Sequence, residues 1–249
     1  MNVRSAILVG VVGFSLLAAV RNGLASAESS FQDGVEDCRA GRFTQATRAF
    51  HDSLKGQPAA GTFLNLGIAE WRRGQVGKAM LAWEQALWID PFNHEAHNNL
   101  EFARQVADLE SPDLTWYEIA STWLPANAWA WLAGGSLWLA VAMVTLPGIL
   151  RLRKAGWHQA LAALGLGAFL LSIPAYIGVV TRTHVGFVLE KDVPLRLTPT
   201  HEAESTTSLR AGEPARKVRT HGDYYFIRTQ QSSGWVERKQ FGLLCEKSE

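Results

Sequence analysis

Two long stretches without a fully charged residue constrain this chain more than anything else in it. One runs from Ile119 to Leu150 and the other from Ala155 to Thr181, with His158 the only basic side chain in either. Each exceeds the roughly 20 apolar residues needed to cross a bilayer core of about 30 Å. The connector Arg151-Leu152-Arg153-Lys154 is too short to be a domain. The pattern predicts a helical hairpin, with transmembrane helices over 126–150 and 157–181 and a loop over 151–156. A hairpin returns the chain to its starting side, so the segments before and after it share one compartment. Cytoplasmic loops are rich in Lys and Arg, and Arg151, Arg153 and Lys154 stand in the connector without an acid. That predicts a cytoplasmic tip and exported flanks. The amino terminus points the same way: Arg4, an apolar stretch from Ala6 to Val20, then Ala25-Ser26-Ala27. This is the order of a secretory signal over 1–27, cleaved after Ala27. Arg21 interrupts it; an uncut signal becomes a third anchor with the same sidedness.

The formal net charge of +1 offers no basic face for nucleic acid. Of ten Trp, five (Trp116, Trp123, Trp129, Trp131 and Trp157) fall at or near the predicted bilayer boundaries. There the apolar ring and its polar N–H both find partners, so anchoring accounts for them. The only cysteines, Cys38 and Cys245, lie one in each exported segment. An oxidising compartment permits pairing, but these segments read as separate modules, and two unpaired thiols are expected.

Shifting the chain by 33 residues aligns Gly34 with Gly67, Gly41 with Gly74, Phe43 with Val76 and Ala46 with Ala79. The same shift matches Phe50 to Trp83, Leu54 to Leu87 and Pro58 to Pro91. Such a period marks stacked helix pairs. Gly34, Gly67, Ala46 and Ala79 leave room where paired helices cross. Gly41 and Gly74 suit the turn between them, Phe50 and Trp83 fill the space between pairs, and Pro58 and Pro91 end the second helices. A half copy from His94 to Ala103 carries Glu101 at the glycine position and predicts a capping helix. His94 and His97 sit at its start with only Glu101 near, and helix-start polarity explains them better than a metal site. Leu66-Gly67, Gly74, Ala79, Trp83, Ala86-Leu87 and Asp90-Pro91 resemble the tetratricopeptide repeat, with Asp37 and Glu70 standing where that motif often has an aromatic. The resemblance implies an array over 28–110 whose first helices line a groove for a peptide or partner protein. Its groove positions here are Val35, Arg39, Leu64, Ile68, Trp71, Arg72, Asn98 and Phe102, of which Leu64 and Ile68 also suit plain packing.

Between array and membrane, Ser111-Pro112-Asp113 predicts the start of an interfacial helix within 111–125. Pro174 predicts a kink in the second span, and Ala163 with Gly167 would permit close helix contact. From Val185 onward the pattern changes to short β-branched and aromatic runs, Val185–Leu189 and Tyr224–Arg228 among them. Turn residues separate these runs at Pro199-Thr200, Ala211–Pro214, His221-Gly222-Asp223 and Ser232-Ser233-Gly234. About 60 residues of this kind predict a small barrel or sandwich. Leu195–Pro199, Leu209–Gly212, Gly222-Asp223-Tyr224 and Gly234-Trp235-Val236 look like a bacterial SH3-like domain over 182–249, although Leu197 stands where that family has small residues. The likeness implies a peptide or cell-wall glycopeptide ligand, with Tyr225 and Trp235 as candidate surface aromatics; core packing explains Trp235 at least as well and is the preferred reading for it.

The expected architecture is therefore multidomain: all-α tetratricopeptide-type helical repeats, two transmembrane helices, and a small all-β SH3-like barrel. In this order, with Asn98–Arg104 directly before the spans, it resembles the BatE family of the bacterial aerotolerance operon. That resemblance implies a protein of the inner (cytoplasmic) membrane with both soluble modules periplasmic or extracellular. It also implies partners among membrane proteins of an envelope complex, including von Willebrand A-type domain proteins and a cytoplasmic AAA ATPase. It carries no catalytic residue and no cofactor. The chain has no Gly-x-Ser-x-Gly, no His-Glu-x-x-His and no phosphate-cradling glycine loop. The expectation is a non-catalytic membrane-anchored adaptor, the alternative being a peptidoglycan attachment protein acting through the SH3-like domain.

Overall fold

A computed structural model of the chain describes residues 26–149 and 156–245. The signal-peptide expectation over 1–27 and the basic connector Arg151–Lys154 lie almost wholly outside the described residues.

The first half is helical: α1 (26–39), α2 (Phe43–Gly56), α3 (Ala60–Arg72), α4 (Val76–Ile89) and α5 (His94–Ala107). The 33-residue repeat recurs in three dimensions. A Cβ added to Gly34 would sit 2.7 Å from Cδ1 of Phe50, and one on Gly67 would sit 2.5 Å from Cδ1 of Trp83. In both pairs, then, the glycine is the floor on which the next helix's aromatic lies. Phe50 and Trp83 are buried, as are Ala46 and Ala79, and burying a ring such as Phe50 contributes roughly 2–3 kcal/mol. Trp83 keeps its polar handle satisfied by donating from Nε1 to the Leu64 carbonyl at 3.2 Å. Gly41 and Gly74 take φ of 73° and 75°, the left-handed conformation that closes each turn at least cost without a Cβ. The acids that replace an aromatic pin those turns: Asp37 pairs with Arg42 at 2.7 Å and Glu70 with Arg73 at 2.8 Å. The half copy forms α5, whose N-cap Asn93 accepts a hydrogen bond from the Ala96 N–H at 3.0 Å. His94 and His97 are exposed on its first turn.

Residues 109–115 form no regular secondary structure, and the next helix, α6 (Trp116–Ser121), starts later than Ser111–Asp113 predicted. The reason is a capping box: Thr115 caps the helix while the Glu118 carboxylate accepts the Thr115 backbone N–H at 2.9 Å. Two long helices follow, α7 (Ala126–Ile149) and α8 (Gly156–Arg182), both long and apolar enough to cross a membrane. Their bounds match the expected spans within one residue wherever the ends are described. Most of their surface is open, with Trp131, Trp138 and Leu171 at least 74% exposed, which a soluble core helix could not sustain. They meet along a seam of small residues, but not at Ala163 and Gly167. Ala163 is exposed and Gly167 has open space above it, whereas a Cβ on Gly165 would lie 2.8 Å from the Ser136 carbonyl oxygen. Pro174 and Pro147 both lie within continuous helix.

The last segment is an antiparallel seven-stranded sheet: β1 (Val185–Val188), β2 (Val193–Arg196), β3 (Ser205–Leu209), β4 (Pro214–His221), β5 (Tyr224–Arg228), β6 (Ser233–Glu237) and β7 (Phe241–Leu243). Its order is β3-β2-β6-β5-β4-β1-β7. The core gathers Val188, Val193, Leu195, Leu209, Tyr225, Ile227, Val236 and Phe241. The turn predicted at Ser232–Gly234 sits earlier, over 229–232, where the Thr229 hydroxyl accepts the Ser232 N–H at 3.0 Å. Gly234 belongs to β6 and is small for another reason: a Cβ there would meet Leu195 Cγ at 2.7 Å.

The helical array and the sheet are not separate, contrary to the sequence expectation. The sheet packs on the outer side of α4. A Cβ on Gly77 would collide with the carbonyl oxygens of Val188 and Leu189, the latter 2.7 Å away, and one on Gly212 would lie 2.9 Å from Leu109 Cδ1. The Gln85 side chain reaches the Leu244 carbonyl at 3.5 Å, and Gln230 donates to the Ser111 carbonyl at 3.2 Å.

Candidate functional site

With α4 covered by the sheet, the face built from α1, α3 and α5 stays open. Helical period places Val35 and Arg39 on α1, Ile68, Trp71 and Arg72 on α3, and Asn98 and Phe102 on α5. Arg39, Arg72, Asn98 and Phe102 are exposed, Phe102 by 55%. Val35, Ile68 and Trp71 are half-buried. Trp71 bridges interior and surface: its ring lies 6.0 Å from Trp83 and 5.9 Å from Phe102, edge-on to the latter. Arg39 and Arg72 are repeat-equivalent, and among the described residues neither forms an ion pair. The surface is thus an aromatic step flanked by two free guanidinium groups. Leu64 does not belong to it. At 8% exposure it lies in the cluster around Trp83 and Leu100, so packing accounts for it.

On the sheet, Tyr225 is corrected in the same way. It is 4% exposed, opposite Val236 on the inner face, and its hydroxyl accepts from Arg238 Nε at 3.1 Å. Trp235 is half-exposed on the outer face, opposite Phe226, with ring centroids 5.2 Å apart. His221 lies 6.2 Å from Trp235, and the Arg219 guanidinium lies 5.4 Å from the Phe226 ring. Phe226, His221 and Arg219 were missed from sequence. Strand alternation held the signal: if Val236 and Ile227 point inward, Trp235 and Phe226 must point outward together.

A third constellation joins the array, the long apolar helices and the sheet. Glu118 on α6 is fully buried and holds Arg216 of β4 in a fork, with Oε1 to Nη1 at 2.7 Å and Oε2 to Nη2 at 3.0 Å. Burial pushes the Glu118 carboxyl up in pKa, but hydrogen bonds from Arg216 and Thr115 outweigh it and hold the group at about 2. Ser121, one turn on, donates to the Glu118 carbonyl at 2.6 Å and accepts from Arg182 Nη1 at 3.3 Å. The Arg182 guanidinium in turn lies 5.0 Å from the Trp88 ring centroid of α4. Below, a Cβ on Gly178 would lie 3.0 Å from Glu118 Cα, so α6 rests directly on α8. With its polar side turned in, α6 shows Trp116 and Ile119 outward, and Trp123 in the turn after it, each at least 50% exposed. Trp129, expected as a boundary anchor, is 8% exposed and donates to the Ser121 carbonyl at 3.2 Å.

Cys38 and Cys245 are both free and half-buried. No protein-family model and no curated protein matches this chain.

Proposed function

We propose that the chain is a non-catalytic, membrane-anchored envelope adaptor of the kind its likeness to the BatE family implies. In this reading α1–α5 are a tetratricopeptide-type array, α7 and α8 a transmembrane hairpin with a cytoplasmic tip, and the sheet an SH3-like domain. Both soluble modules then face the periplasmic or extracellular side. The observation that carries the reading is the division of labour within the array: the outer side of α4 is covered by the sheet, while the aromatic and basic face of α1, α3 and α5 stays open. A partner segment lying along Phe102, Trp71, Arg72 and Arg39 would bury the aromatic step and pair the two guanidinium groups. Membrane proteins of the same complex, von Willebrand A-type domain proteins among them, are the proposed partners.

The test places a photo-crosslinking residue at position 72 or at position 48 of the full chain in its native membranes. Arg48 is exposed on the opposite side of the array, on α2. Adducts from 72 and none from 48 support the groove; equal trapping from both sinks it. A second reading, attachment to peptidoglycan, draws support from the Trp235–Phe226 patch with Arg219 beside it, since aromatic faces and cations suit an acidic glycopeptide. Retention of the detergent-solubilised chain by isolated sacculi, lost in Trp235→Ala, would favour that reading.

A further inference from the structure

A cleft of about 410 Å³ opens between α6, the sheet and the last turn of α8, with Asp113, Thr115, Tyr117, Thr181, Arg216 and Arg228 in its walls. Three elements meet there because the Glu118–Arg216 fork ties β4 to α6, and α6 rests on α8 at Gly178. Register then brings in a second guanidinium. Arg228 stands directly opposite Arg216 in the β4–β5 ladder, so both side chains leave the same face of the sheet.

The charges of this cleft are not all satisfied. Like charges directly opposite on a sheet repel. Arg216 is committed to the junction: both Glu118 oxygens hold it, and it donates to the Thr181 and Asp113 carbonyls as well. Arg228 has no such relief. It is exposed, and among the described residues no ion pair or hydrogen bond engages its guanidinium. The Asp113 carboxylate lines the same cleft, is exposed, and forms no ion pair among the described residues either. One free cation and one free anion thus share a cavity without reaching each other. A simple anion drawn to Arg228 would leave Asp113 unmatched, whereas a group carrying a phosphate and an ammonium matches both. The volume lies within the range of roughly 300–1,000 Å³ usual for small-ligand sites.

The surroundings say what such a group is attached to. Helical period places Ile177, Ile173 and Leu170 on the face of α8 below Thr181, and they are 48%, 38% and 55% exposed. An apolar strip therefore leads away from the cleft along α8, on a side that α7 does not cover. On the membrane-anchored reading, on which this inference rests, Thr181 lies at the depth of lipid headgroups and the strip at the depth of acyl chains. The exposed Trp116 and Ile119 of α6 suit the same boundary.

We propose that this cleft holds the headgroup of an aminophospholipid. Arg228 receives the phosphate, which a guanidinium fits through paired N–H donors, Asp113 receives the ammonium, and an acyl chain follows Ile177, Ile173 and Leu170. The helical face plays no part, so failure here leaves the adaptor reading untouched.

Native mass spectrometry of the full chain, released from detergent after titration with phosphatidylethanolamine, phosphatidylglycerol or phosphatidylcholine of identical acyl chains, tests it. Phosphatidylethanolamine should be retained roughly tenfold more strongly than the other two, because glycerol carries no cation and choline has no N–H to donate. Arg228→Gln should weaken that retention by about tenfold, the order expected for a lost charge-assisted contact, while Arg228→Lys keeps most of it. Asp113→Asn should lower phosphatidylethanolamine to the level of phosphatidylcholine. Glycerophosphoethanolamine, the same headgroup without acyl chains, should not displace the lipid; displacement assigns a soluble phosphoethanolamine compound instead and overturns the lipid. Equal retention of the three lipids overturns the proposal too, as does unchanged retention in Arg228→Gln. Carbonate extraction of native membranes tests the anchoring separately. A chain that stays in the pellet but shows no lipid preference refutes the cleft alone, and a chain that is extracted refutes both.

Discussion

Replacing Glu118 with Gln removes the anion at the centre of the junction without changing its shape. The carboxyl sits at a pKa of about 2 against an ordinary 4.5. At about 1.4 kcal/mol per tenfold change in proton affinity, that difference is worth about 3 kcal/mol of stability. Breaking a buried ion pair from one side costs about 3–5 kcal/mol, so the two routes agree at the lower end. The lower end is the right one, because the Arg216 side chain is 33% exposed and can turn to water once its partner is gone. The sign follows from the depressed pKa. The contribution is complete above about pH 4.5, where the unfolded chain also ionises, and is lost as the pH falls toward 2. Denaturant unfolding of the full chain in detergent should therefore find Glu118→Gln about 3 kcal/mol less stable at pH 7. Parent and variant should converge between pH 4.5 and 2, which separates Glu118 from carboxylates common to both. In a double-mutant cycle with Arg216→Gln the losses should be far from additive. A difference below about 1 kcal/mol at pH 7, or parallel pH profiles, would refute the account of the junction.

Gly77→Ala should loosen the sheet from α4, seen as faster amide exchange in β1, because the added Cβ meets backbone rather than a movable side chain. Gly61→Ala, in a helix with open space above the residue, should be neutral or stabilising by up to about 1 kcal/mol in the same measurement. Gly67→Ala should cost about 1–3 kcal/mol of unfolding free energy through overpacking against Trp83, and Trp83→Phe should recover part of the loss in the double variant. Thiol alkylation without reductant should modify both Cys38 and Cys245. Cys38 should react slowly at pH 7, because burial and then the nearby Asp37 raise its pKa.

The array was legible because a repeat states each constraint twice. Gly34 and Gly67, Phe50 and Trp83, Gly41 and Gly74 appear in register, and each pair does one job. The two long apolar helices were legible because length and absence of charge suffice to predict them. The sheet was legible as short strands and turns, but strand alternation is easily misphased. Choosing Tyr225 over Phe226 took the inner face for the outer. Glu118 and Arg216 were not legible at all. They lie 98 residues apart, and nothing local distinguishes a carboxylate that will meet a guanidinium from one that will meet water. Gly212 likewise read only as a turn residue, although Met80 and Leu109 press against it.

The repeat does hold one long-range signal, in where its copies disagree. The outer side of α2 carries Thr44, Arg48, Asp52 and Lys55, all exposed. Their equivalents on α4 are Gly77, Leu81, Gln85 and Trp88, of which Gly77 is buried and the rest half-buried. Polar-to-apolar replacement at three of the four positions, with uncharged Gln85 in place of Asp52 at the fourth, is what docking a second body onto one copy requires, and the sheet is that body. The consequence reaches function. A flexible tether would let array and sheet sample many separations, whereas docking through α4, with Arg182 between Trp88 and Ser121, fixes both against the ends of α7 and α8. A partner touching the open helical face and the aromatic face of the sheet must match one geometry. Its effective concentration is then set by that match rather than by linker length. Gly77→Ala and Glu118→Gln loosen that geometry while leaving both faces chemically intact. They should weaken two-site binding but spare binding to either face alone, and equal losses in both assays would contradict a rigid junction.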